Sequence, residues 1–269
     1  MFLIQCLLIN KMETEKKLGS IAKLLKIIDI LRKECPWDKK QTFESLRPLT
    51  LEETYELVDA IDNKNINDIK NELGDLLLHV IFYSKIASES NYFDISDVAD
   101  SITKKLIFRH PHVFENKNSI DEKQVKNNWE KLKLKEGNKS ILSGVPKSLP
   151  SIMKALRIQK KVSNVGFEWK NIEQVKYKVF EEIEELNEEI RKGTKDKIQD
   201  EFGDVLFSLI NYARFLEIDP DYCLEKSNKK FINRFMLLEQ KMKQKDKSFD
   251  NTSIEELNEY WNSVKESNL

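Results

Sequence analysis

The second half of this sequence repeats an acidic pattern of the first half, and this repeat limits what the chain can fold into. Six residues recur in unchanged order, each displaced by 129 positions. They are Glu52, Glu53, Glu56, Glu72, Gly74 and Asp75 in the first copy, and Glu181, Glu182, Glu185, Glu201, Gly203 and Asp204 in the second. Because chance would not preserve this order, the pattern indicates two tandem copies of one module.

Basic and aromatic residues later in each copy repeat as well. The matched pairs, displaced by 125 or 132 positions, are Lys105 with Lys230, Arg109 with Arg234, Trp129 with Trp261, and Lys133 with Lys265. Since the displacement changes from one group to the next, we expect the insertions to lie in loops between helices.

The composition indicates that both modules are helical. Only 7 Gly and 6 Pro occur in 269 residues, so tight turns must be few. This disfavours an all-β sandwich or barrel, which needs a turn about every 8 to 12 residues. With 45 basic and 46 acidic residues, the chain also lacks the basic excess of a nucleic-acid binder. We therefore expect an all-α fold made of two tandem helical bundles.

Apolar residues at helical spacing, together with capping signals, predict where the helices lie. In the first copy the predicted helices cover 13–33, 50–61, 66–88, a segment after Asp94, and 122–136, and a capping box of Thr50 and Glu53 opens the second of them. In the second copy they cover 151–163, 172–192, 195–216, 221–244 and 254–266, and Ser253 with Glu256 forms the last capping box.

A Gly, Pro and Ser cluster separates the two copies. Residues 137–150 hold two Gly, two Pro and three Ser, which predicts a linker there. The first module then spans 13–136 and the second 151–269. Residues 1–12 form an apolar N-terminal arm, or else reflect a start codon assigned too early, with Met12 as the true start.

The cysteines and the apolar runs bear on location. No run of about 18 apolar residues occurs, so we expect no membrane span. Cys6, Cys35 and Cys223 lie far apart, without the paired spacing of a zinc site or a disulfide framework. A reducing cytoplasm fits this pattern.

Each module carries an EExxE motif followed by an ExxD motif. Residues three or four apart share a helical face, so Glu53 projects with Glu56, and Glu72 with Asp75. EExxE alone is typical of solvated helix faces. The ExxD motif is more unusual, because its carboxylates lie in a helix that is apolar on nearly every side and is predicted to be buried. Buried carboxylates need a basic partner, a proton or a metal ion.

Oxygen ligands without His or Cys favour Mg²⁺ or Mn²⁺ over zinc. A di-iron bundle would place a Glu three residues before a His, but Leu76, Ile107 and Arg109 occupy the positions before the three histidines. His79 is therefore predicted to be a hydrogen-bonded core residue rather than a ligand. A Lys or Arg from elsewhere in the fold remains the alternative to a metal.

Magnesium held by carboxylates usually also holds substrate phosphates. Lys230, Arg234 and Lys265 could neutralise a polyphosphate, and Trp261 could stack on a base. Each could equally be a surface charge or a core aromatic. Lys178, one turn before Glu182, is a further candidate. No Walker or Rossmann glycine pattern is present.

These residues resemble the MazG family of nucleoside triphosphate pyrophosphohydrolases over about residues 15–266. The matching segments are CPWD at 35–38, TLEETYE at 50–56, ELGDLL at 72–77, RHPHVF at 109–114, NVGFEW at 164–169, KVFEEIEE at 178–185 and EFGDVLF at 201–207. The resemblance implies all-α modules, a homodimer, and Mg²⁺-dependent hydrolysis of NTPs and dNTPs to monophosphate and pyrophosphate.

The resemblance also implies residue roles. In the second module, metal ligands would be Glu182, Glu185, Glu201 and Asp204, and nucleotide ligands would be Lys178, Glu181, Lys230, Arg234, Trp261 and Lys265. This copy is expected to act on ordinary triphosphates, with Glu181, Glu182 and Glu185 in catalysis and Glu181 orienting or deprotonating the attacking water. The first module has Leu49 in place of the lysine, yet Glu53, Glu56, Glu72 and Asp75 should still bind metal there.

Two other functions are compatible with the same residues. One is a narrower enzyme that removes modified or deoxy nucleotides. The other is a helical scaffold that senses nucleotides without catalysis.

Overall fold

A computed structural model describes residues 2–114 and 140–267 of the chain. Within these ranges the secondary structure is helical, with no β-strand, which confirms the predicted all-α class. The chain divides into two compact units, 1–118 and 119–269. The predicted boundaries of the modules and of the linker stay predictions, and the predicted helix over 122–136, with Trp129 and Lys133, lies outside the described residues.

The first unit is built around a helical hairpin. Its helices are α1 (Phe2–Glu34), α2 (Phe43–Asp62), α3 (Ile66–Glu89), α4 (Ile95–Arg109) and the short α5 (Pro111–Phe114). Helices α2 and α3 pack along each other, and α1 and α4 pack against α3. The core cluster is made of Ile28 from α1, Leu46 from α2, and Ile81, Phe82 and Ile86 from α3.

Helix α2 begins earlier than the sequence predicted. Thr42 and Ser45 form a reciprocal capping box in which each side-chain oxygen accepts the backbone N–H of the other residue, at 3.2 and 2.8 Å. These bonds satisfy N–H groups that a helix start leaves free, so α2 starts at Phe43 and continues past Pro48. Thr50 therefore lies inside the helix, and the predicted capping box at Thr50 is wrong.

The second unit contains two helical hairpins. Its helices are α6 (Ser151–Ser163), α7 (Ile172–Lys192), α8 (Lys195–Phe215), α9 (Pro220–Gln244) and α10 (Ile254–Ser267). These bounds confirm the predicted helices to within one residue. Helices α7 and α8 form the closest pair, α6 packs on α8, and α9 packs on α10 around Leu238, Met242 and Val264. Ser253 accepts the Glu256 N–H at 3.3 Å, as one half of the predicted capping box.

The apolar helices that carry the ExxD motifs are less buried than predicted. On α3, Leu73 is 52% exposed, and on α8, Phe202 is 54% exposed. On α2, Leu51, Tyr55 and Val58 are also exposed, so this apolar stripe does not face the core. Each hairpin buries the face between its helices and leaves an outer apolar face uncovered within the described residues. None of the described helices is long and apolar enough to cross a membrane.

Candidate metal centre

In the first module, the hairpin of α2 and α3 brings three glutamates together. Carboxylate oxygens of Glu53, Glu56 and Glu72 lie within 4.8 Å of one another. Glu53 and Glu72 are half-buried, while Glu56 is exposed. Asp75 is outside this closest group, but it is near enough for its charge to act on Glu53 and Glu72. The EExxE motif is therefore turned towards the neighbouring helix and is not a purely solvated face.

The second module repeats this geometry on α7 and α8. Carboxylate oxygens of Glu182, Glu185 and Glu201 lie within 4.8 Å of one another. Glu182 is only 7% exposed, Glu201 is half-buried, and Glu185 is exposed. Asp204 is exposed and stands outside the closest group, although its charge acts on Glu201. Three of the four predicted ligands thus converge in each copy.

Carboxylates held this closely make each other harder to ionise. Partial burial, followed by the charges of Asp75, Glu56, Glu72 and Glu52, raises the pKa of Glu53 above its usual value of 4.5. The pKa of Glu72 is raised for the same two reasons. In the second module, partial burial and then Glu185, Asp204 and other acidic neighbours raise the pKa of Glu201. A divalent cation bound among the carboxylates would reduce this repulsion in both clusters.

The two modules differ in the cation that the protein itself supplies. Lys178 Nζ lies 2.7 Å from a carboxylate oxygen of Glu182 and 3.2 Å from one of Glu181. The bond to Glu182 is the main cause that raises the pKa of Lys178, so the ammonium stays charged. In the first module the matching residue is Leu49, which packs against the core cluster of α1, α2 and α3.

Behind the first cluster lies a hydrogen-bond network that sequence reasoning missed. The Thr50 hydroxyl donates to the Leu46 carbonyl at 3.0 Å, and its oxygen lies 2.7 Å from both His79 Nδ1 and the Tyr83 hydroxyl. The single Thr50 oxygen therefore links helix α2 to two side chains of α3. Burial lowers the pKa of His79 despite the opposing charge of Asp75. The prediction that His79 is a hydrogen-bonded core residue is confirmed, but its partners Thr50 and Tyr83 were not predicted.

The predicted nucleotide ligands of α9 and α10 stand apart from this arrangement. Lys230 and Lys265 are exposed and Arg234 is half-buried. Trp261 is half-buried against the core of α9 and α10, with its ring centroid 5.2 Å from that of Phe231, and Lys265 Nζ lies 6.0 Å from the Trp261 ring. Within residues 140–267, no hydrogen bond or ion pair joins these side chains to the carboxylates.

The donor set fits a hard divalent cation. Each cluster offers three carboxylates with oxygens close enough to share one ion, and Mg²⁺ and Mn²⁺ prefer such oxygen ligands. Neither cluster contains His or Cys, so a zinc site is disfavoured.

Comparison with known proteins agrees with this arrangement. The family model described as "MazG nucleotide pyrophosphohydrolase domain" matches residues 41–114 and 170–236, and these segments contain both glutamate clusters. The Nucleoside triphosphate pyrophosphohydrolase of Escherichia coli (strain K12) is 40% identical over 257 residues, which cover 92% of this chain and 98% of the relative.

A second relative comes from Thermotoga maritima. Its Nucleoside triphosphate pyrophosphohydrolase/pyrophosphatase MazG is 42% identical over 249 residues, which cover 90% of this chain and 94% of the relative. With the family model matched in both copies and relatives at this identity along nearly their whole length, the chain belongs to the MazG nucleotide pyrophosphohydrolase family.

Proposed function

We propose that this protein hydrolyses nucleoside triphosphates, both NTPs and dNTPs, to the monophosphate and pyrophosphate, with Mg²⁺ as the metal and Mn²⁺ as a possible substitute. The observation that carries this proposal is the convergence of Glu182, Glu185 and Glu201 in a chain of this family. The names of the two relatives supply the reaction class.

The second module is the proposed main active site. Glu182, Glu185, Glu201 and Asp204 would hold the metal. When bound, the ion would supply Lewis-acid polarisation of the phosphate and lower the pKa of a water molecule. Asp204 shares a helical face with Glu201, and its charge already acts on that carboxyl.

Glu181 is the proposed base. It lies next to Glu182, and its carboxylate is 3.2 Å from the Lys178 ammonium, which fixes its position beside the cluster. Water would attack the α-phosphorus in line, its proton would pass to Glu181, and the bond from that phosphorus to the bridging oxygen would break. Pyrophosphate would leave with its charge offset by Lys178, Lys230, Arg234 and Lys265. Trp261 would stack on the nucleobase of the substrate.

The test of this function is product analysis. Purified protein is incubated with a panel of NTPs, dNTPs and modified nucleotides, with Mg²⁺ and with chelator, and the products are separated by ion-exchange chromatography. We expect monophosphate and pyrophosphate in equal amounts, and none with chelator. Diphosphate and inorganic phosphate would overturn cleavage at the α-phosphorus, binding without any product would favour the scaffold, and turnover of modified nucleotides alone would favour the narrower enzyme.

We also propose that the chain forms a homodimer. The outer apolar faces of both hairpins are uncovered within the described residues, and the exposed side chains include Leu73, Leu77 and Val80 on α3 and Phe202, Leu206 and Leu209 on α8. Exposed apolar faces of this kind mark association surfaces. Analytical ultracentrifugation should give twice the chain mass of 31.7 kDa, and a monomer at micromolar concentration would contradict the proposal.

The cytoplasm is the proposed location, because triphosphates are present there and because the cysteines show no disulfide pattern. Fractionation of cells that express the protein would test this.

A further inference from the structure

The second cluster carries a counter-ion that has no counterpart at the first cluster within the part of the chain that the structure describes. Lys178 Nζ is 2.7 Å from an oxygen of Glu182, the most buried carboxylate of either cluster. This lysine is one helical turn before Glu182 on α7, so the helix itself holds the two groups together. The same ammonium reaches Glu181 at 3.2 Å.

Among residues 2–114 the first cluster has no equivalent charge beside it. Leu49 occupies the position of Lys178, and among the described residues no ion pair is recorded for Glu53, Glu56 or Glu72. Three ionised glutamates would give the first cluster a charge of −3, whereas Lys178 reduces the second cluster to −2. The donor atoms of the two clusters are otherwise alike.

We propose that Lys178 competes with the metal for Glu182, so that the two modules take up divalent cations at different concentrations, the first module more tightly than the second. This inference rests on the proposed function of the clusters as metal sites. A cation that approaches Glu182 must displace the ammonium or accept its repulsion a few ångströms away. An exposed ion pair would matter little, but the Glu182 side chain is only 10% exposed and is screened less by water.

The competition can be measured without nucleotide and without turnover. Free Mn²⁺ is followed by its electron paramagnetic resonance signal during titration of the full chain. A Glu53→Gln background isolates the second cluster, and a Glu182→Gln background isolates the first. In the Glu53→Gln background we expect Lys178→Leu to tighten Mn²⁺ binding about tenfold, because one like charge is removed beside the ion.

Four further variants control for charge and folding. Lys192→Leu removes the same charge from the same helix, but its ion pair with Glu188 at 3.2 Å is exposed and Lys192 lies about two helical turns beyond Glu185, so Mn²⁺ affinity should change much less. Lys178→Arg keeps the charge and should leave binding weak. The reciprocal Leu49→Lys should weaken Mn²⁺ binding at the first cluster. Lys178→Met replaces Lys178→Leu if that variant fails to fold.

The outcomes separate the inference from the proposed function. Equal Mn²⁺ affinity with lysine or leucine at position 178 would overturn the competition while leaving both clusters as metal sites. If neither background binds Mn²⁺ at millimolar concentration, the metal function itself fails. If Lys192→Leu tightens binding as much as Lys178→Leu does, the effect is general charge and the inference also fails.

Discussion

The α2–α3 hairpin and the α7–α8 hairpin each bring three equivalent glutamates together, but different contacts hold the two helices of each hairpin in place. In the first module, Thr50, His79 and Tyr83 form a hydrogen-bond network between α2 and α3. In the second, the positions of Thr50 and His79 are taken by Val179 and Ser208. Val179 is buried, and the Ser208 hydroxyl donates to the Val205 carbonyl of its own helix at 2.9 Å.

This difference shows that the same glutamate cluster can be held by two different kinds of contact between its helices. A carboxylate cluster needs two helices at a set distance, and either apolar packing or buried hydrogen bonds can hold them there. In the second module, the buried Val179 packs where the first module has Thr50. Lys178 adds a positive charge beside Glu182, where the first module has Leu49. The comparison therefore predicts unequal catalysis, unequal responses to mutation, and similar behaviour outside the sites.

The largest expected difference concerns turnover. Glu182→Ala removes a buried ligand of the second cluster and should lower kcat on ordinary NTPs about 10²- to 10³-fold, the usual cost of losing one electrostatic stabiliser. Glu53→Ala should change it less than about threefold, because the second module is the proposed main site. Steady-state rates of pyrophosphate release measure both. Equal losses would show that the modules share the work, and Glu188→Ala on the exposed side of α7 serves as the control.

A second difference concerns folding stability. Thr50→Val leaves His79 and Tyr83 without their shared hydrogen-bond partner and should lower the free energy of unfolding of the first unit by about 1–3 kcal/mol. Val179→Thr is the matched control in the second unit, where the new hydroxyl can bond to the carbonyl one turn earlier and should cost less. Urea denaturation followed by circular dichroism measures both, and a neutral Thr50→Val would contradict the role of the network.

A third expectation concerns pH and Mg²⁺. The raised pKa values of Glu53, Glu72 and Glu201 mean that the native metal-free protein holds protons that the unfolded chain has released. The stability that these groups contribute is therefore fully present below pH 4.5 and is lost as pH rises through their native pKa values.

Mg²⁺ should replace those protons, so its stabilising effect should grow over the same pH interval. At about ten times its Kd the gain should reach about 1.4 kcal/mol. Thermal denaturation from pH 4 to 8, with Mg²⁺ or chelator, measures it. The double variant Glu53→Gln, Glu182→Gln should lose most of the gain, and a gain independent of pH would argue against metal at the carboxylates.

The smallest effects should lie outside the clusters, where the modules should not differ. The pairs Lys17 with Glu13 at 2.9 Å and Lys192 with Glu188 at 3.2 Å are both exposed and one helical turn apart. Lys17→Ala and Lys192→Ala should each change the free energy of unfolding by less than about 0.5 kcal/mol. Urea denaturation tests this, and a loss above 1 kcal/mol in either would show a role that exposure does not predict.

Much of this molecule could be derived from its sequence. The helix class follows from few turn residues, and the helices of the second unit follow from apolar spacing that recurs every three or four residues. The carboxylate pairs on each helix follow from the motifs, because carboxylates three residues apart share a helical face whatever that helix packs against. These are local properties, and neighbouring residues along the chain decide them.

Other features required the packed structure. The burial of Glu182 against the exposure of Glu185, the open outer faces of α3 and α8, and the meeting of Thr50 with Tyr83 all depend on which helix faces which. Residues distant along the chain set these outcomes, and apolar spacing alone does not say which of several apolar faces a hairpin will bury.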